Sequence, residues 1–236
     1  MTEEVKVSFA PSSDPVADNG TAPAQTPAVD FGIPGVTARP GDHICALYRR
    51  EKERDEILIP FLEAGLRDGE KCVCIIDSTP LPNVLASFGE RFDVDGCIAS
   101  HQLDLLPASE AYLRSGRFST DEMLGYWDDS FGAILTDGRF TFVRATGEMP
   151  WTLRDLPERE DFFRYESELN RLIPRYPTVI LCLYDLNHFG GGIVMDLLKT
   201  HPKLLIGGRI VENPYCLTPD EFLAARALED KARSSP

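Results

Sequence analysis

The segment Thr141-Phe-Val-Arg-Ala-Thr-Gly-Glu148-Met-Pro-Trp151 is where this chain concentrates residue types able to do chemistry. It reads as a β-strand that ends in a carboxylate, followed by an aromatic ring. Side chains alternate faces along a strand, so Phe142, Arg144, Thr146 and Glu148 share one side. An arginine inside an apolar strand needs a partner, because an unpaired buried charge is very costly. The segment therefore implies a polar site within a core. Glu148 is the candidate to hold a ligand's polar groups, and Trp151 to line the pocket.

Two more acids end apolar runs: Asp77 after Cys72-Val-Cys-Ile-Ile, and Asp185 after Val179-Ile-Leu-Cys-Leu-Tyr. Ligands of open α/β sheets bind beyond the carboxyl ends of the strands. Asp77, Glu148 and Asp185 would meet there, able to hold Mg²⁺ or polar ligand groups; the plainer alternative is that each caps a loop or a helix start. Glu166 and Asn170, four residues apart on the following helix, share a face. That face offers Arg144 a partner, either as a buried structural pair or as a pair that orients ligand.

Other chemistries lack their residues. Nothing matches the Gly-x-x-x-x-Gly-Lys-Ser/Thr phosphate loop or a Gly-x-Ser-x-Gly nucleophile elbow. Gly190-Gly-Gly192 precedes a helix but lacks the lysine and hydroxyl of a phosphate site, so it reads as a flexible loop. The four histidines (43, 101, 188 and 201) show no metal-ligand spacing, and no metal site is expected from them. No cofactor can be named. The six cysteines mostly lie in apolar runs without a Cys-x-x-Cys and read as buried free thiols. Cys72 and Cys74 share one strand face, yet no basic neighbour in sequence would activate them as thiolates.

These residues need elements to hold them, and the chain supplies alternating strands and helices. The strands are His43–Tyr48, Cys72–Asp77, a weaker one over Cys97–His101, Thr141–Glu148, Val179–Asp185 and Leu204–Val211. The helices are one over Ile57–Leu66 with Pro60 starting or kinking it, Asn83–Phe92, and Ser119–Leu135 behind a capping box. Glu158–Arg175, one from the triple glycine to Lys199, and a terminal helix capped at Thr218 follow. Alternation of this kind argues for an α/β protein with a mostly parallel sheet covered on both faces. Residues 1–38, rich in Pro, Ala, Ser and Thr, read as a disordered leader, and 39–230 as a single domain.

At 236 residues with 43% hydrophobic and 26% charged residues, the composition is that of an ordinary globular protein. A net charge of −14 argues against direct nucleic-acid binding, which rests on clustered basic charge. No apolar run is long enough for a membrane span and the N-terminus lacks a signal peptide's apolar core. The cytoplasm is the expected compartment.

Several motifs in order then carry a resemblance. They are His43-Ile-Cys45 with Tyr48, Phe61-Leu-Glu-Ala-Gly-Leu-Arg-Asp-Gly-Glu-Lys-Cys72, and Arg144-Ala-Thr-Gly-Glu-Met-Pro-Trp151. Tyr165-Glu166 with Leu169-Asn170, Leu181-Cys-Leu-Tyr-Asp185, Thr200-His-Pro202 and Glu212-Asn-Pro-Tyr215 complete them. Over about residues 40–225 the chain resembles the MEDS family of DcmR-type sensory domains. The resemblance implies a three-layer, RecA/KaiC-like core lacking a P-loop, with Asp185 at the Walker B position. It implies a non-enzymatic sensory or regulatory role in transcriptional or signalling control, with a small molecule, such as a hydrocarbon derivative, as ligand. The remaining length holds no DNA-binding or kinase module, so output through a separate regulatory protein is expected; a homo-oligomer is left open. The expected ligand-binding residues are Tyr48, Arg144, Glu148, Trp151, Glu166, Tyr184 and Asp185. Two alternatives stand beside this: a degenerate nucleotide-binding protein without efficient hydrolysis, and a purely structural interaction protein.

Overall fold

The computed structural model describes residues 28–88, 92–153 and 159–234. The elements, in chain order, are β1 (Val29–Asp30), β2 (Thr37–Ala38), β3 (His43–Tyr48), α1 (Glu51–Arg67), β4 (Lys71–Ile76), α2 (Leu81–Phe88), α3 (Val94–Ala99), β5 (Leu103–Pro107), α4 (Ala108–Ala111), α5 (Thr120–Thr136), β6 (Val143–Glu148), α6 (Arg159–Leu172), β7 (Thr178–Asp185), α7 (Gly191–Thr200), β8 (Lys203–Ile206), β9 (Arg209–Glu212) and α8 (Pro219–Ser234). Seven strands form one sheet in the order β5-β4-β6-β7-β3-β8-β9, parallel except for β9. A sheet built by helical crossovers is covered on both faces, which is why β4 and β6 are buried at every residue.

The side-chain alternation divides the core in two. Ile44 and Ala46 of β3, Cys72 and Cys74 of β4, and Leu181 and Leu183 of β7 pack against Phe61 and Leu62 of α1 and Phe88 of α2. The opposite parity, with Cys45, Val73, Ala145, Cys182 and Tyr184, packs against Trp127 of α5, Tyr165 and Leu169 of α6, Leu197 of α7 and Phe222 of α8. The result is the expected three-layer α/β sandwich. Helix starts follow the caps in the sequence: Ser119 Oγ accepts from the Glu122 N–H at 3.4 Å. Thr218 and Glu221 cap each other reciprocally, at 2.9 and 3.4 Å. Helix α1 begins at Glu51 and runs through Pro60.

Three expectations are corrected. Residues 29–38, assigned to a disordered leader, form the β1–β2 hairpin: Phe31 is fully buried with its ring 4.8 Å from Phe61. Gly32, at φ +82°, presses against the Pro60 carbonyl, where no Cβ fits. The small number of apolar residues was enough because they all fall on one patch. The rest of the proposed leader lies outside the described residues, apart from residue 28. The strand expected over 97–101 is instead helix α3, started by Asp93 accepting from the Gly96 N–H at 3.0 Å; the strand follows at Leu103–Pro107. The strand expected over 204–211 is a hairpin, β8–β9, turning at Gly207 and Gly208, both at positive φ. A two-glycine turn favours the tight reversal of a hairpin.

Candidate functional site

Glu148 is completely buried at the end of β6, and the loop after β4 wraps around it. Its Oε2 accepts from the backbone N–H groups of Asp77, Ser78 and Thr79 at 2.9, 3.0 and 3.1 Å. Thr79 Oγ1 donates to Oε1 and accepts from the Arg54 guanidinium, whose Nη1 lies 3.5 Å from Oε1. Successive backbone N–H groups turned to one point make an anion-binding nest. Here the anion is the protein's own carboxylate. Asp77, expected to join Glu148 as a second ligand acid, contributes its N–H to Glu148.

Arg144 is also fully buried, and its partner is not Glu166. Its Nε donates to Glu70, and its Nη1 to the Phe61 carbonyl at 3.0 Å. Parity explains the correction. Arg144 shares the face of Glu148, under α1, whereas α6 with Glu166 covers the other face. Gly65 makes room for the guanidinium: a Cβ there would stand 2.6 Å from Arg144 Cδ.

The single pocket expected from Tyr48, Arg144, Glu148, Trp151 and Tyr184 is therefore divided by the sheet. Tyr48 lies on the α1 side, where burial, then Glu148 and Asp185, push its phenol up. Trp151 and Tyr184 lie on the α6 side. Trp151 stacks on Tyr112 with ring centres 4.6 Å apart, and Tyr184 meets Phe189 edge-on at 5.3 Å. Asp185 is half-buried at the mouth of the β7–α7 loop, accepting from the Asn187 N–H at 2.8 Å, with His188 Nδ1 3.2 Å away.

A cluster that no local spacing reveals sits under α6. His43 of β3, Glu166 of α6, Cys182 of β7 and His201 after α7 are all buried, their ligand-type atoms within 4.8 Å of one another. Glu166 Oε2 lies 3.3 Å from His43 Nε2 and 3.1 Å from His201 Nε2. Cys182 Sγ lies 3.5 Å from His43 Nε2 and 3.9 Å from Glu166 Oε2. Burial, then the proximity of His201, lowers His43. Burial and the Glu166 charge raise the Cys182 thiol. Of the expected site residues, Glu166 alone belongs to this cluster, with Tyr184 against it: its ring is 5.7 Å from that of His201. In sequence, 139 residues separate His43 from Cys182, so only the fold could unite them.

The class these features define is a three-layer α/β domain whose first long strand reaches its helix through Arg49 and Arg50 alone, too short a connection for a phosphate-cradling loop. Among solved structures, a KaiC-like protein from the hyperthermophilic archaeon Pyrococcus horikoshii has the same fold. It aligns with a TM-score of 0.55 at 17% identity, over 76% of this chain and 79% of that one. The profile of the methanogen/methylotroph DcmR sensory domain, MEDS, matches residues 42–202, and the chain belongs to that family. It is 30% identical over 162 residues to the transcriptional repressor DcmR of Methylorubrum extorquens, a match covering 68% of this chain and 58% of that protein. The alignment thus spans less than two thirds of the repressor's length. Among the described residues no helix is long and apolar enough to cross a membrane.

Proposed function

We propose that this chain is a non-enzymatic sensory module that binds a small molecule and signals through a partner protein in transcriptional or signal-transduction control. Membership of a sensory-domain family that includes a repressor supports the class. One structural observation supports the ligand. Trp151 Nε1, Tyr184 OH and Glu166 Oε1 are buried polar atoms on the α6 side without hydrogen-bond partners. Arg144 Nη2 and Thr146 Oγ1 on the α1 side are likewise unpaired; since buried polar groups are nearly always paired, the two donors and the acceptor on the α6 side suit a small polar guest. Of the expected ligand-binding residues, this reading rests on Trp151, Glu166 and Tyr184. Arg144 and Glu148 act in it as scaffold. Its working compartment is the cytoplasm.

Thermal-shift measurements on the full chain against short hydrocarbon derivatives and small metabolites test the reading. A ligand present at a hundredfold its Kd stabilises by about 2.7 kcal/mol, and Tyr184→Phe should abolish the shift. A panel without any stabilising compound counts against it. The nucleotide alternative is disfavoured because the nest at Asp77–Thr79 already holds Glu148. Calorimetry with Mg-ATP should give no heat.

A further inference from the structure

We propose that His43, Glu166, Cys182 and His201 form a tetrahedral binding site for a divalent transition metal ion, zinc being the best fit. The inference stands on this cluster alone and does not depend on the small-molecule reading.

The first argument is a shortage of protons. His201 Nδ1 lies 2.9 Å from the Leu197 carbonyl, which can only accept, and 3.1 Å from the Thr200 hydroxyl, which already donates to that carbonyl at 3.1 Å, so Nδ1 carries the ring hydrogen. Asn170 Nδ2 donates to the Thr200 carbonyl at 2.7 Å, which fixes its amide and turns Oδ1 toward His43 Nδ1, 3.0 Å away. That nitrogen must donate as well. In neutral rings both Nε2 atoms then present lone pairs, and both face the same carboxylate oxygen of Glu166. The His201 Nε2 is without a hydrogen bond although that oxygen is 3.1 Å away. Lone pairs converging on one point are what a cation organises. An oxygen acceptor behind each ligating imidazole is the usual supporting shell of a metal site.

The second argument is size. Zinc bonds of about 2.0–2.1 Å to nitrogen or oxygen and about 2.3 Å to sulfur imply tetrahedral edges of roughly 3.3 Å and 3.6 Å. Four of the six edges, at 3.3, 3.1, 3.5 and 3.9 Å, lie within about 0.3 Å of those values, and the other two are within 4.8 Å. The third is charge. A divalent ion bound to one carboxylate, one thiolate and two neutral imidazoles is neutral overall, as a fully buried site requires. The Cys182 S–H bond breaks on binding, its proton leaves to solvent, and the sulfur pair forms the bond to the ion. Imidazole and thiolate together favour zinc over magnesium or calcium.

The test is to refold the full chain with Co²⁺ in place of Zn²⁺ and record its spectrum. One ion per chain, tetrahedral d–d bands and a sulfur-to-cobalt charge-transfer band are expected. Cys182→Ser should lose the charge-transfer band, while Cys45→Ser, on the neighbouring strand, keeps it. Asn170→Ala should weaken the ion's affinity about 10- to 100-fold. If Cys182→Ser does not fold, X-ray absorption on the zinc-loaded wild type decides between one sulfur with two imidazoles and any other ligand set. Failure to retain stoichiometric metal, or a charge-transfer band unchanged in Cys182→Ser, would overturn the site; in that event a proton on one ring bridges the cluster instead.

Discussion

Arg54 Nη1 stands 3.5 Å from Glu148 Oε1 with both side chains almost closed to solvent, and the Thr79 hydroxyl bridges them. Together they secure the loop from β4 to α2, Glu148 through its amides and Arg54 through the Thr79 hydroxyl. Removing one partner of a buried pair leaves the other uncompensated, at a cost of about 3–5 kcal/mol. Glu148→Ala should therefore lose stability on that scale in urea unfolding, and the amides of Ser78 and Thr79 should exchange faster with solvent. A Glu148→Ala protein of native stability would show that the carboxylate serves a ligand and not the loop.

Arg144 pairs with Glu70, not with Glu166, and a double-mutant cycle separates the two. Coupling between Arg144→Met and Glu70→Gln should lie within the roughly 0.5–3 kcal/mol found for contacting residues. Between Arg144→Met and Glu166→Gln, on opposite faces of the sheet, it should be close to zero. A larger coupling to Glu166 would refute the pairing.

Replacing glycine by alanine inside a helix ordinarily stabilises by up to about 1 kcal/mol. In α5, Gly132 has open space where a Cβ would go, so Gly132→Ala should raise the melting temperature. In α1, a Cβ at Gly65 would meet Arg144 Cδ at 2.6 Å and Cys72 Sγ at 2.9 Å. The guanidinium cannot yield, being held by Glu70 and Phe61. Gly65→Ala should reverse the sign and destabilise by about 1–3 kcal/mol. Equal effects at the two positions would contradict the packing around Arg144.

Cys45, Cys72, Cys74 and Cys182 are buried, whereas Cys97 and Cys216 are half-exposed. Burial pushes every one of these thiols up, Cys216 to about 11 and Cys72 to about 12. Thiolate is the reactive form. Native protein at neutral pH should release only Cys97 and Cys216 to a thiol reagent, slowly and faster as pH rises. The other four should react on unfolding. Rapid modification of Cys72 or Cys74 in the native state would revive a redox role for that strand.

The fold was largely legible because its strands and helices obey different hydrophobic periods. The apolar run before Asp185 and the caps at Ser119 and Thr218 could be read directly. Turn chemistry overrides apolar content at two places: Asp93 starts a helix where Cys97-Ile-Ala looks extended, and Gly207-Gly208 folds back what looks continuous. The site was read less well, for a geometric reason. Sequence parity shows which residues of one strand share a face, but not which helix covers that face. Sequence alone thus offers Arg144 to Glu166 across the sheet, and spacing along the chain does not show that His43 and His201 meet at Glu166.

A carboxylate carried on a rigid strand meets the Asp77–Thr79 amides at an effective molarity that no dissolved anion in a cell approaches. A dissolved anion would have to displace that tethered carboxylate to reach the same amides. The loop after β4 is consequently constitutive: its shape does not wait on a supply of anions, because the anion that organises it is part of the chain.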